Sequence, residues 1–323
     1  MLPVLPTSRT LLVVSGQLSH QEITARLRDG AAVALFRGVV VDASAAAAQS
    51  ARFRAAVASQ GPEAVLCPPS SAVQLGIPWL PPTWSAPDAT VHVAVPREVT
   101  RRHRRGLRIH HAALAPEDVV TVNGIRTVGV GRTLADLARD PRQPRLQVVQ
   151  LIDGALRRGL VTPDLLQDAL TRLIGMRLVS RSRELFDLSR CGVDSPKETE
   201  LRLALWDGGV TGLVTDIHLR DYDGTVLARG DLADPRRLLW GEYDGFDTHT
   251  ERSVFGSDRA GDRWLERRGW HVMRFSQADL ARPQRLAREW LTAWANAPAR
   301  IAAMASSRSP EVDAARRALG LPD

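Results

Sequence analysis

The sequence contains a single lysine, Lys197, among 43 basic residues. Chemistry that needs an amine side chain therefore has one position to draw on. There are two cysteines, Cys67 and Cys191, far apart and without C-x-x-C or metal-ligand spacing. That argues against a disulfide framework and leaves two buried thiols as the expectation. No apolar run approaches the roughly 18 residues of a membrane-spanning helix, and no basic-led signal segment opens the chain. The expectation is a cytoplasmic protein with no membrane partner. No internal repeat is present.

What is there suits two or three folded domains: 323 residues, 44% hydrophobic and 24% charged. The net charge of +7 is uneven. Residues 195–323 carry 19 basic and 20 acidic residues, and residues 1–194 carry 24 and 16. A basic front half joined to a neutral back half points to a nucleic-acid-facing module attached to something chemically different. The alternative is that nearly lysine-free, arginine-rich composition reflects GC-rich coding and only solvates the surface.

In "LSHQEITARLRDG", Ser19 and Glu22 form a capping box that starts a helix, and Gly30 is placed to end it. "AVALFRGVVV" follows as a small hairpin. A helix and hairpin in that order make the tail of a winged helix-turn-helix, from which Arg26, Arg28 and Arg37 would reach phosphates or base edges; a scaffold helix and hairpin is the bland equivalent. An alanine-rich helix is expected from about 44 to 59. "VHVAVP" and "LRIHHAAL" read as strands joined by a basic hairpin tip holding Arg101, Arg102, Arg104 and Arg105 around His103. Such a tip is either a phosphate-contacting arm or a solvated turn. Asn123-Gly124 predicts another hairpin. From Arg132 to about 189 the pattern is helical, with Thr162 and Pro163 opening one helix. These signals divide the chain into 1–60, 61–190, 195–298 and a loosely attached tail, 299–323.

Beyond the "CGVDSPKE" linker the order is helix (about 196–208), strands (about 214–221, 225–233 and 237–243), helix (about 254–268), strand (270–275) and helix (about 277–296). The fold class is therefore mixed α/β. Acids interrupt two of these strands: Asp231 in one, Glu242 and Asp244 in the next. Were the "ADPRRL" turn centred between 235 and 236, Asp231 would oppose Trp240, with Glu242 its diagonal neighbour on one face. Gathered carboxylates need protons, arginines or a metal to neutralise them. A hard cation such as Mg²⁺ takes such oxygen ligands and acts on phosphodiesters; the competing reading pairs the acids with Arg229, Arg237 or Arg259 as salt bridges.

The α-β-β-β-α-β order, with an acid on the second strand and E-x-acid on the third, resembles the PD-(D/E)XK nuclease fold, the restriction-endonuclease-like core. "SPKETELRLAL", "GDLADPRRLLWGEYDG", "DGFDTH" and "SDRAGDRWLERRGWHVMRF" resemble more closely a domain-of-unknown-function family grouped with the very-short-patch repair (Vsr-like) endonucleases. The front half, "GQLSHQEITARLRDG" through "GIRTVGVGRTLADLAR", resembles the AbiEi family of type IV antitoxins. The C-terminal resemblance implies that Asp231 and Glu242 bind metal, with the Tyr243 carbonyl a further ligand. It also implies that Glu198 helps hold the metal or its water, that His249 transfers a proton, and that Asp244, Arg259 and Arg263 are accessory, the arginines steadying phosphate. The sequence departs from the common pattern in having Asp244 where many such enzymes place a lysine. Two functions follow as expectations. One is a Mg²⁺-dependent DNA endonuclease in phage defence or repair. The other is an antitoxin-like DNA-binding repressor, its nuclease-like domain inactive and its partner a nucleotidyltransferase-type toxin encoded nearby.

Overall fold

The computed structural model describes residues 12–14, 18–99, 105–220, 223–245 and 254–306. It is a mixed α/β protein of two compact units. The first comprises residues 1–151 and 158–187, the second 152–157 and 188–323.

In the first unit, β1 (Leu12–Val14), α1 (His20–Arg28), β2 (Ala32–Phe36) and β3 (Val39–Asp42) make a helix and a three-stranded sheet ordered β1-β3-β2. The capping box forms as expected: Ser19 accepts from the Glu22 N–H, and Glu22 accepts from the Ser19 N–H at 2.8 Å. The alanine-rich helix α2 (Gln49–Gln60) begins later than expected, after a 3-10 turn at Ala43–Ala45.

A second sheet is ordered β6-β5-β4-β8-β7, from β4 (Val65–Leu66), β5 (Val91–Val95), β6 (Leu107–His111), β7 (Val119–Val122) and β8 (Ile125–Val128). Two short helices, α3 (Ser70–Gln74) and α4 (Pro82–Ser85), lie between β4 and β5 in the chain. Phe53, Leu66, Val93, Leu107 and Ile125 form the core between α2 and this sheet. Here the structure corrects the sequence reading: β5 and β6 pair in parallel, so the arginine-rich connection is a crossover and not a hairpin tip. The Asn123-Gly124 hairpin is present, with both residues at positive φ, 52° and 73°.

Helices α5 (Val130–Arg139), α6 (Arg145–Arg157), α7 (Pro163–Arg172) and α8 (Val179–Leu188) follow. Thr162 caps α7 as expected. Buried Asp118 accepts from Arg132 at 2.6 Å and from Arg172 at 2.8 Å, tying the start of β7 to α5 and α7.

The second unit runs α9 (Pro196–Asp207), β9 (Val214–Arg220), β10 (Val226–Asp234), β11 (Leu239–Tyr243), α10 (Val254–Arg267), β12 (His271–Phe275), α11 (Gln277–Leu280) and α12 (Pro283–Ser306). Its sheet is ordered β12-β11-β10-β9; β9, β10 and β11 are antiparallel, and β12 runs parallel to β11. On one face Leu201, Leu205, Leu286 and Trp290 of α9 and α12 cover Leu232, Leu239 and Phe275. On the other, Leu265 and Trp264 of α10 pack with Ala233, Trp240 and Trp270. The 299–306 part of the expected tail belongs to this body, because Arg300 on α12 donates to the Arg237 carbonyl at 2.8 Å. Asp153, in the last turns of α6, is fully buried here. It accepts from Arg202 at 2.7 Å, from the Thr199 hydroxyl at 2.9 Å and from the Arg190 N–H at 2.7 Å.

Candidate acidic site in the second unit

The turn between β10 and β11 fixes where the acids lie. Asp234 pairs with Leu239, and its Oδ1 accepts from the N–H groups of Arg236 and Arg237 at 3.1 and 3.3 Å. That side-chain capture centres the loop between 236 and 237, one position later than expected. Trp240 therefore opposes Ala233, not Asp231, and the register extended by one residue brings Asp231 opposite Glu242.

The backbone ladder stops there. The Tyr243 N–H donates to Asp231 Oδ2 at 2.7 Å, so a carboxylate stands where the next main-chain acceptor would be. Across β9, Asp216 opposes Asp231 and has φ +52°, a left-handed kink. This kink coincides with a break in the side-to-side alternation. A Cβ on Gly230 would lie 2.4 Å from the Trp240 ring, so position 230 faces the α10 layer. Leu232 faces the α9 layer.

Glu242 faces the α10 layer. Its Oε1 accepts from the Trp240 indole N–H at 2.8 Å, and its Oε2 lies 2.8 Å from Arg274 Nη2. Arg274 also holds Asp262 of α10 at 2.8 Å. The acid whose charge acts most on Asp231 is Glu198, on α9. Its place at the start of α9 is set by the Ser195 cap, and it accepts from the Asp194 N–H at 2.7 Å.

Charge balance separates these acids. Arg229 bridges Asp194 at 2.5 Å and Asp216 at 2.8 Å, and Arg157 also pairs with Asp194. Glu242 and Asp262 share Arg274. Among the described residues, Asp231 and Glu198 have no such ion pair. Burial first, then the charge of Glu198, pushes the Asp231 carboxyl up to about 7; the Tyr243 N–H opposes the rise, and Glu242 and Asp194 add to it. Burial likewise raises Glu198, against hydrogen bonds from Asp194 and Ser195 and the charge of Arg229. A positive ligand at Asp231 and Glu198 would relieve both. Glu242, as placed, does not fit that role. Among the described residues no three His, Cys, Asp or Glu side chains are grouped to hold a metal ion.

The other expected positions are distributed as follows. Asp244 is half-buried, and its N–H donates to the Phe275 carbonyl at 2.7 Å. Arg263 is exposed on α10. Arg259 falls within α10, but its side chain lies outside the described residues, as do His249, Arg101, Arg102 and Arg104. Arg105 and Arg37 are exposed; Arg26 lies 3.8 Å from Asp42, and Arg28 lies 3.3 Å from Asp29. Lys197 does not enter the site, because it pairs with Glu200 at 2.7 Å. Cys67 is buried as expected, whereas Cys191 is exposed.

Arg274, Arg229, Asp194 and Asp216 are the site residues that sequence reasoning missed or misassigned. A usable signal for Arg274 was its place inside the strand "HVMRF", flanked by Met273 and Phe275, at the position parallel to Glu242.

No family model matches the chain, and no solved structure matches it. Two uncharacterized proteins of Mycobacterium tuberculosis, one from strain H37Rv and one from strain CDC 1551, are each 25% identical to it over 277 residues. The aligned region covers 84% of this chain and 95% of theirs. No described helix is long and apolar enough to cross a membrane.

Proposed function

We propose that the chain binds DNA and hydrolyses its phosphodiester bonds at the Asp231–Glu198 pocket, using a divalent cation such as Mg²⁺. One observation carries the reading. Among the described residues Asp231 and Glu198 are half-buried with no ion pair, whereas Asp194, Asp216, Glu242 and Asp262 beside them each have one. An ionised carboxylate in such surroundings is destabilised unless a cation or proton joins it. The α-β-β-β-α-β order of the second unit, with β11 parallel to β12, supports the resemblance to PD-(D/E)XK nucleases.

Asp231 and Glu198 would hold the cation. When bound, it supplies positive charge to a phosphate oxygen and acidifies a water. The chain itself contributes a wedge of charge: Tyr243 fixes Asp231 through its N–H, and the Ser195 cap and Asp194 N–H fix Glu198. The basic excess of residues 1–194 would hold the polyanion through phosphate contacts.

The test is nicking of supercoiled plasmid with Mg²⁺ or Mn²⁺, beside Asp231→Asn. Cation-dependent nicking that the substitution abolishes is the expected result. Equal activity in both proteins would overturn the reading.

A second reading rests on the grip of Arg274 on Glu242, which withholds one expected metal ligand. In it the chain is an AbiEi-like DNA-binding antitoxin or repressor, paired with a nucleotidyltransferase-type toxin, and its nuclease-like domain does not cut. Absence of nicking together with salt-sensitive DNA binding would favour it.

A further inference from the structure

We infer that Arg229 is a positioning residue for the cation site: it holds the strap of residues 191–195, and the strap aims the Glu198 carboxylate. The inference rests on the cation-binding reading above. Each residue of the strap, "CGVDS", is fixed in its own way. The Cys191 carbonyl accepts from the Thr215 hydroxyl at 2.9 Å. Gly192, at φ 76°, passes so close to β9 that a Cβ there would lie 2.6 Å from Asp216 Cβ. Val193 is buried. One oxygen of the Asp194 carboxylate accepts from Arg157, and the other accepts from Arg229 Nη2 at 2.5 Å. Ser195 caps α9, its hydroxyl accepting from the Glu198 N–H at 3.2 Å. The main-chain N–H of Asp194 then donates to Glu198 Oε2 at 2.7 Å.

Arg229 links this strap to the strand that carries Asp231. It stands on β10 two residues before Asp231, and its Nε donates to Asp216 Oδ1 at 2.8 Å while its Nη2 grips Asp194. Asp216 is a firm anchor: β9 pairs with β10 on both sides of it, and its Oδ1 also lies 3.1 Å from His218 Nε2. A planar guanidinium can hold two carboxylates at set angles, which a single ammonium cannot. Arg229 is half-exposed, and ion pairs in that setting add little to stability. Their consequence is local, the orientation of one carboxylate. A group that orients a metal ligand typically contributes about 10- to 100-fold to metal affinity. The charge of Arg229 works the other way. It reaches Glu198, whose carboxyl it lowers, and it repels an ion bound there. Positioning and charge therefore give opposite signs when Arg229 is removed.

Mn²⁺ binding to the full-length protein, followed by the loss of the free-ion electron paramagnetic resonance signal, is the readout, with no catalysis required. Arg229→Met is expected to weaken binding by about tenfold, the lower end of that range, because Arg157 still holds the other oxygen of Asp194. Glu198→Gln removes the ligand through which Arg229 acts. In Glu198→Gln/Arg229→Met the arginine change should therefore weaken binding no further. Tighter or unchanged binding in Arg229→Met overturns the inference, since charge alone gives tighter binding and a residue without a role gives none. An equal loss in the Glu198→Gln background also overturns it, because the effect is then a general one on the fold. Should Arg229→Met fail to fold by far-UV circular dichroism, Arg229→Lys carries the same test: it keeps the charge and loses the fork. A several-fold weakening that disappears with Glu198→Gln is then expected, and unchanged binding overturns the inference. If Glu198→Gln binds Mn²⁺ as the unmodified protein does, the underlying cation reading fails at Glu198; if Glu198→Gln weakens binding while the Arg229 variants do not, only the positioning role fails.

Discussion

Replacing Asp231 by asparagine removes a charge that the second unit accommodates poorly, and the effect should depend on pH in one direction. The Asp231 carboxyl rises from the ordinary 3.8 to about 7 on folding, mainly through burial and the charge of Glu198. At about 1.4 kcal/mol per tenfold in proton affinity, the ionised form carries a penalty of about 4 kcal/mol. Structural relaxation and entering water reduce the measurable part, so about 2–4 kcal/mol is the expected range. The sign follows from linkage. Below 3.8 the group is protonated folded and unfolded alike, and there is no penalty. Between 3.8 and 7 the folded chain keeps a proton that the unfolded chain has lost, so stability falls as pH rises. Above 7 the penalty is complete. Asparagine can still accept the Tyr243 N–H but carries no charge. Urea unfolding followed by tryptophan fluorescence is the assay; six of the eight tryptophans lie within residues 195–323, so the signal reports mainly on this unit. Asp231→Asn should exceed the unmodified protein in stability by about 1 kcal/mol at pH 4.5 and by about 2–4 kcal/mol at pH 8.5. Millimolar Mg²⁺ should narrow the gap at pH 8.5 by stabilising the unmodified protein alone. A gap that is absent or reversed at pH 8.5 would refute the claim that this carboxylate is uncompensated.

Three other outcomes are expected. Gly230→Ala places a methyl 2.4 Å from the Trp240 ring and should lower the urea midpoint, with a loss of about 1–3 kcal/mol from overpacking. Arg202→Met strands the fully buried Asp153 and should cost about 3–5 kcal/mol in the same assay, with part of the loss recovered in Asp153→Asn/Arg202→Met. Changing Arg26, Arg28 and Arg37 together to glutamine should weaken DNA binding at low salt and flatten its salt dependence, measured by fluorescence anisotropy; an unchanged salt slope would remove α1 and the β2–β3 turn from the DNA-binding surface.

Local chemistry made much of the fold legible. Ser19 with Glu22, Thr162 with Pro163, and Asn123-Gly124 each specify their own cap or turn within four residues, and each is present. The elements of the second unit also lie within about two residues of expectation as far as β12, because apolar periodicity switches cleanly between strand and helix there. Pairing was less legible. Whether β5 and β6 run parallel depends on how the sheet assembles around β4 and β8, and no residue in the connection encodes it. The register of β10 against β11 turned on Asp234 capturing two N–H groups, a one-position change in loop centre that moves every cross-strand partner. The site itself was half legible. Acids in strands drew attention to Asp231 and Glu242, but the left-handed Asp216 and the reach of Arg274 from β12 decide which acids are neutralised. Those are tertiary facts with only a faint trace in the sequence.

The most direct measurement is the number of Mn²⁺ ions bound per chain near neutral pH, for the unmodified protein and for Asp231→Asn. A bound ion present in the first and lost in the second is the predicted result. Identical binding curves, or none in either, would contradict the assignment of Asp231 and Glu198 as a cation pocket.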